Sequence, residues 1–165
     1  MIKIYVKNYG VMSFEMDYKA AKNTAANFVK LARDGYYAGT KFHRIISGFM
    51  IQGGDGRAEG RPLEYTIKGE FSSNGVQNNL KHDRGVISMA RTMVNDSATS
   101  QFFIMHQNSP FLDGEYAAFG KMIEGECVLD AIAGVKTNYE DAPVKPIVID
   151  KVEAIDEPEY SVETI

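Results

Sequence analysis

Tryptophan is absent from this 165-residue sequence, and it holds only one cysteine, three histidines and five prolines. Cys127 alone cannot close an internal disulfide, which agrees with a reducing compartment, and no cysteine pair is spaced for zinc. His43, His82 and His106 stand far apart, outside any HExxH or mixed Cys/His spacing, so no metal or cofactor is expected. Also missing is any apolar run long enough to span a bilayer. Residues 1–6, MIKIYV, alternate like a strand and lack the layout of a secretory signal, so the expected location is cytoplasmic.

An excess of basic charge is lacking too. The net charge is -4, and residues 156–165 alone carry four acids and no base. With that tail set aside, 18 acids face 18 bases, a balance that gives no footprint for nucleic acid or an anionic membrane. Hydrophobic residues at 44% and charged residues at 24% fit a globular chain of this length with one core. The reading is a monomeric domain over residues 1–155, followed by an acidic tail, 156–165, that is too poor in apolar residues to argue for packing.

The pattern along the chain is mainly β. Residues 2–7 and 11–16 read as strands joined at Asn8-Tyr9-Gly10. Ala25, Phe28, Val29, Leu31 and Ala32 follow a helical period over 24–33, with Thr24 as the predicted N-cap and Gly35 as the stop. From 42 to 123, short runs rich in Phe, Ile and Val alternate with Gly, Asn, Asp and Pro clusters, as in a sandwich or barrel. A second helix is predicted over 126–133, with Val128, Leu129, Ile132 and Ala133 inward and Cys127 as a partly buried apolar residue. Ile147-Val148-Ile149 and Val152 suggest a closing strand.

Several chemistries fail on spacing. The glycine cluster 52–60 has Glu59 where a dinucleotide fingerprint needs its third glycine, and no Gly-Lys-Ser/Thr follows, so it reads as a tight loop leaving a strand. No serine sits in a GxSxG elbow, although a triad dispersed along the chain is not excluded by sequence. Phe102-Phe103 has no basic neighbours to suggest base stacking, and at least one of the two is expected in the core.

The odd feature is Arg44, a charge within the apolar and aromatic segment KFHRIISGFMIQGGD, residues 41–55. Strand alternation would put Phe42 and Arg44 on one face, and Met50 and Gln52 on one face of the next strand. Pattern alone leaves two readings open: an arginine paired to a buried carboxylate, or an arginine serving a site.

That segment resembles the signature of cyclophilins, and so do SATSQFFI at 97–104 and FLDGEYAAFGK at 111–121, three blocks in the right order. The resemblance runs over essentially residues 1–155 and is closest in style to compact bacterial cytoplasmic members. It implies a closed eight-stranded antiparallel β-barrel capped by two α-helices, and peptidyl-prolyl cis/trans isomerase activity in protein folding. The alternative on the same pocket is a non-catalytic module that holds proline segments, or a folding chaperone. The implied partners are proline-containing peptides and unfolded protein segments.

Carried over by position, the resemblance makes Arg44, Gln52 and Phe49 the catalytic group. It makes His43, Met50, Ala90, Arg91, Gln101, Phe103, Phe111, Leu112 and Tyr116 the substrate-binding face. Three positions depart from the family pattern. Phe111 stands where the best-studied members have Trp, and the loss of that indole donor implies weak cyclosporin binding. Tyr116 replaces a frequent His, and Arg91 a common Asn.

Overall fold

The computed structural model describes residues 1–165. Eight strands, β1 (Ile2–Val6), β2 (Gly10–Met16), β3 (Phe42–Ile46), β4 (Met50–Gly53), β5 (Val86–Met89), β6 (Phe102–Met105), β7 (Ala118–Glu124) and β8 (Ile149–Ala154), form one sheet. The order is β3-β4-β6-β5-β7-β2-β1-β8, and every paired neighbour is antiparallel. The sheet curls until its outer strands meet. Lys41 and Val148 form a bridge, and the Phe42 N–H donates to the Ile147 carbonyl at 3.0 Å. The predicted eight-stranded, two-helix fold is therefore present, with the seam held by this short contact. No helix is long and apolar enough to cross a membrane.

The first hairpin turns where Asn8 and Gly10 take positive φ, as their small or absent side chains permit. Helix α1 spans Lys22–Arg33 and packs on β7 and β8, and α2 spans Glu126–Ala133 and packs on β2, β3 and β4. The α2 limits match the sequence reading. The end of α1 at Arg33 also matches, but its start does not, because Thr24 is already inside the helix, and the residue before the helix, Ala21, supplies no side-chain cap. Instead, Glu70 accepts from the Thr24 N–H at 2.6 Å and from its hydroxyl at 2.7 Å. A carboxylate 46 residues away does the work of a local cap and complements the helix dipole.

Alternation divides the apolar side chains between the two faces of the curled sheet. Phe14, Phe28, Phe42, Ile51, Phe102 and Phe119 belong to the interior cluster, where the Phe28 and Phe102 rings meet edge to face at 5.3 Å. Truncating such a ring costs roughly 3–5 kcal/mol. Met50, Phe103, Met105, Leu112 and Ala118 turn the other way and form a small second cluster with Val86. The Phe102-Phe103 pair is thus split between them. At the end of β4, Gly54 has φ +85°, and a Cβ there would lie 2.7 Å from the Phe102 ring. The glycine cluster is a tight exit loop, as expected.

One local expectation fails: Cys127, expected to be partly buried, is exposed on α2. The acidic tail, whose packing composition leaves open, stays mostly exposed yet is tied down along its length by polar contacts. Glu157 accepts from the Met1 amino group at 2.6 Å and from the Tyr18 hydroxyl at 2.5 Å; burial, with this bond added, holds that hydroxyl well above its usual pKa. Asn23 exchanges two hydrogen bonds with the Glu163 backbone, and Thr66 pairs with Ile165. These polar ties need little apolar surface, which is why composition gives no sign of them.

Candidate active site

The register of β3 against β4 shifts between Phe42 and Arg44: Phe42 faces Gly53, Arg44 faces Gln52, and His43 has no partner. This bulge re-aims the strand, as an extra residue does. It sends Phe42 into the core, 1% exposed, and leaves Arg44 exposed on the outer face. The expectation that Phe42 and Arg44 share a face is therefore overturned. The matching expectation for Met50 and Gln52 holds, since both line the same cavity.

That cavity, about 160 Å³, is bounded by Arg44, Phe49, Met50, Gln52, Ala90, Arg91, Phe103, Leu112 and Tyr116. Its floor and walls are the second apolar cluster and the residues packed on it. Arg44 donates through Nη1 to Oε1 of Gln52 at 3.3 Å, and Gln52 Nε2 donates to Oε1 of Gln101 at 3.1 Å. None of the ion pairs of the chain includes Arg44. The reading of an arginine paired to a buried carboxylate is thereby excluded, and a single hydrogen bond engages its exposed side chain.

Nine of the twelve residues singled out from sequence line this cavity. Gln101 lies in the adjoining groove of about 270 Å³, which shares Gln52, Ala90 and Arg91 with the cavity. Phe111 stands outside, 70% exposed, with its ring 5.6 Å from that of Phe49. His43 lines neither space, and its Nδ1 is buried without a partner. Groove residues Tyr36, Asp55, Arg57, Thr92, Ser97 and Thr99 were not singled out from sequence. They come from three separate segments, and no spacing links them. Arg57 grips Asp55 with two bonds, at 3.0 and 2.9 Å, and holds that carboxyl below its usual pKa.

Arg91 is fixed rather than free. Its guanidinium lies 4.6 Å from the Tyr116 ring centre and 4.8 Å from that of Phe71, and it donates to the carbonyls of Glu115 and Thr92. Tyr116 in turn meets Phe103 edge to face at 5.6 Å. Cation–π and ring contacts of this kind stiffen a pocket wall.

Beneath Phe103 lies a dispersed Ser/His/Asp array. His82 is stacked on the Phe103 ring at 6.0 Å, with Nε2 2.8 Å from the Ser88 hydroxyl and Nδ1 3.0 Å from Asp113. Ser88 is fully buried, so its oxygen cannot reach a substrate carbonyl. The array supports the pocket floor and offers no nucleophile. Burial holds the His82 imidazole below its ordinary pKa, against the pull of Asp113.

Comparison with known proteins matches this chain to one family. A family model described as cyclophilin type peptidyl-prolyl cis-trans isomerase/CLD covers residues 1–154. Peptidyl-prolyl cis-trans isomerase A of Dickeya dadantii is 41% identical over 155 residues, 88% of this chain and 80% of its own length. The cyp18 isomerase of Streptomyces antibioticus is 39% identical over 160 residues, covering 88% of this chain and 93% of that protein. A Cryptosporidium parvum cyclophilin solved in the presence of the dipeptide Ala-Pro superposes with a TM-score of 0.83 at 33% identity, covering 94% of this chain and 99% of that one.

Proposed function

Since the chain belongs to the cyclophilin-type family and is a peptidyl-prolyl cis-trans isomerase, we propose that Arg44 carries the reaction by donating to the prolyl nitrogen while the 160 Å³ cavity holds the ring. The observation that carries this is an unpaired guanidinium at the mouth of an apolar cavity, oriented by Gln52.

An X-Pro bond rotates slowly because amide resonance imposes a barrier of roughly 18–20 kcal/mol, while the end states differ by only about 0.5–1 kcal/mol. Twisting removes conjugation, and the nitrogen becomes pyramidal and regains a lone pair. A donor aimed at that lone pair binds the twisted state better than either planar one, which is the differential binding that lowers a barrier. Arginine suits the task because it stays charged and its donors are rigidly placed. Lowering tens of seconds to milliseconds takes roughly 5–6 kcal/mol, within reach of one charged donor plus a held ring.

In this reading Phe49, Met50, Phe103 and Leu112 hold the prolyl ring. Gln52 and Gln101 position the flanking amides, and the groove beyond Ala90 receives the neighbouring residues of a proline-containing peptide or unfolded segment. No proton moves and no covalent intermediate forms. Titrating an Ala-Pro peptide into ¹⁵N-labelled protein tests the placement. Shifts should centre on Arg44, Gln52, Ala90, Gln101 and Phe103, and shifts confined to another face would reject it.

A further inference from the structure

Residues Ile46–Phe49 form the turn between β3 and β4, closed by the Phe49 N–H donating to the Ile46 carbonyl at 2.9 Å. Gly48, third in the turn, has φ +80°, the sign a type II turn needs there. The turn bond leaves the Gly48 N–H without a backbone acceptor. His106, just after β6, takes it: Gly48 N donates to His106 Nδ1 at 2.8 Å.

A backbone N–H can only donate, so this bond requires a lone pair on Nδ1 and places the ring proton on Nε2. Nε2 points at Asp130 of α2, 3.0 Å away. Asp130 is itself gripped by Arg84 at 2.8 and 3.0 Å, which together with His106 keeps its carboxyl below the usual pKa. Arg84 also donates to the His106 carbonyl at 3.0 Å, and the His106 N–H donates to the Phe49 carbonyl at 2.9 Å. One residue thus holds the turn at two consecutive positions, through its ring at Gly48 and through its backbone at Phe49.

Residues at and close to that turn line the cavity. Phe49 and Met50 are its walls, and Arg44 lies two residues before Ile46. Resting on the reading that these residues form the isomerase site, we infer that His106 is a positioning residue: its Nε2–H tautomer, selected by Asp130, supplies the acceptor that fixes the β3–β4 turn. An uncaptured Gly48 amide would let the turn rock, and the placement of Phe49 against Arg44 would loosen with it.

Two conservative variants separate the ring nitrogens. The Oδ1 of an asparagine falls near Nδ1 and can accept from Gly48, whereas a glutamine amide reaches toward Asp130 and vacates the Nδ1 position. His106→Asn should keep kcat/KM for an Ala-Pro peptide within about twofold of wild type, and His106→Gln should lower it about tenfold. Amide hydrogen exchange at Gly48 should follow the same order, slow in wild type and His106→Asn and fast in His106→Gln. Equal activity and equal Gly48 exchange in the two variants would overturn the inference, as would losses that track melting temperature alone. Because Gly48 exchange is read without turnover, a failure of the site itself, seen as wild-type activity in Arg44→Ala, stays distinguishable.

Discussion

Arg44 and Gln52 face each other across β3 and β4, and the guanidinium donates to the amide oxygen at 3.3 Å. The only side chain that hydrogen-bonds to the proposed catalytic arginine is thus a neutral one, itself held by Gln101. Orientation is supplied without neutralising the charge.

Removing this support should loosen Arg44 while leaving it in place. Gln52→Ala is expected to lower kcat/KM about tenfold, since small misplacements of a reacting group are costly. Gln101→Ala should do less, because Gln52 keeps its own bond to Arg44. Stopped-flow or protease-coupled isomerisation of an Ala-Pro peptide measures both, and a larger loss in Gln101→Ala would invert the proposed order.

Phe111 lies against Phe49 as an exposed ring with no donor. Cyclosporin should therefore bind weakly, and Phe111→Trp should tighten it roughly tenfold, the value of one added hydrogen bond of about 1.4 kcal/mol, with peptide turnover unchanged. Calorimetric titration decides this. Tight binding by the wild type, not improved by the tryptophan, would contradict it.

His82 links pocket support to pH. Burial depresses its folded pKa below the unfolded value of about 6.5. Between those two values the unfolded chain binds the proton and the folded one does not. The contribution is thus fully present above about pH 6.5 and is lost as pH falls toward the folded pKa. Urea midpoints should drop on acidification through this window, and His82→Gln should flatten the slope. An unchanged slope in that variant would assign the pH dependence to other groups.

Glu70 caps α1 from outside the helix. Glu70→Ala should cost about 1–2 kcal/mol, in the range of a lost N-cap, and Glu70→Gln, which keeps an acceptor, should cost less. Chemical denaturation of the three proteins provides the comparison.

Much of the fold could be read from local pattern. The α2 limits follow from a short amphipathic run ended by Gly134, and the opening hairpin from Asn8 and Gly10. Features made by distant partners could not be read this way. The true start of α1 depends on Glu70, and the tail is held by Met1, Tyr18, Asn23 and Thr66, none of which is near it in sequence. Period-2 reasoning misplaced Phe42 relative to Arg44 because a one-residue bulge at His43 cancels alternation. Most of the cavity came from the resemblance of three sequence blocks to a known family. Its support from His82, Ser88 and Asp113, and the hold of His106 on Gly48, join residues with no shared motif.

The central claim is that Arg44 lowers the barrier by donating to the twisted prolyl nitrogen. The most direct measurement is kcat/KM of Arg44→Ala on an Ala-Pro peptide, with folding verified by circular dichroism and an unchanged melting temperature. The account expects a loss on the order of 100-fold. Near-normal turnover in the folded variant would contradict it and move the catalytic role to another group.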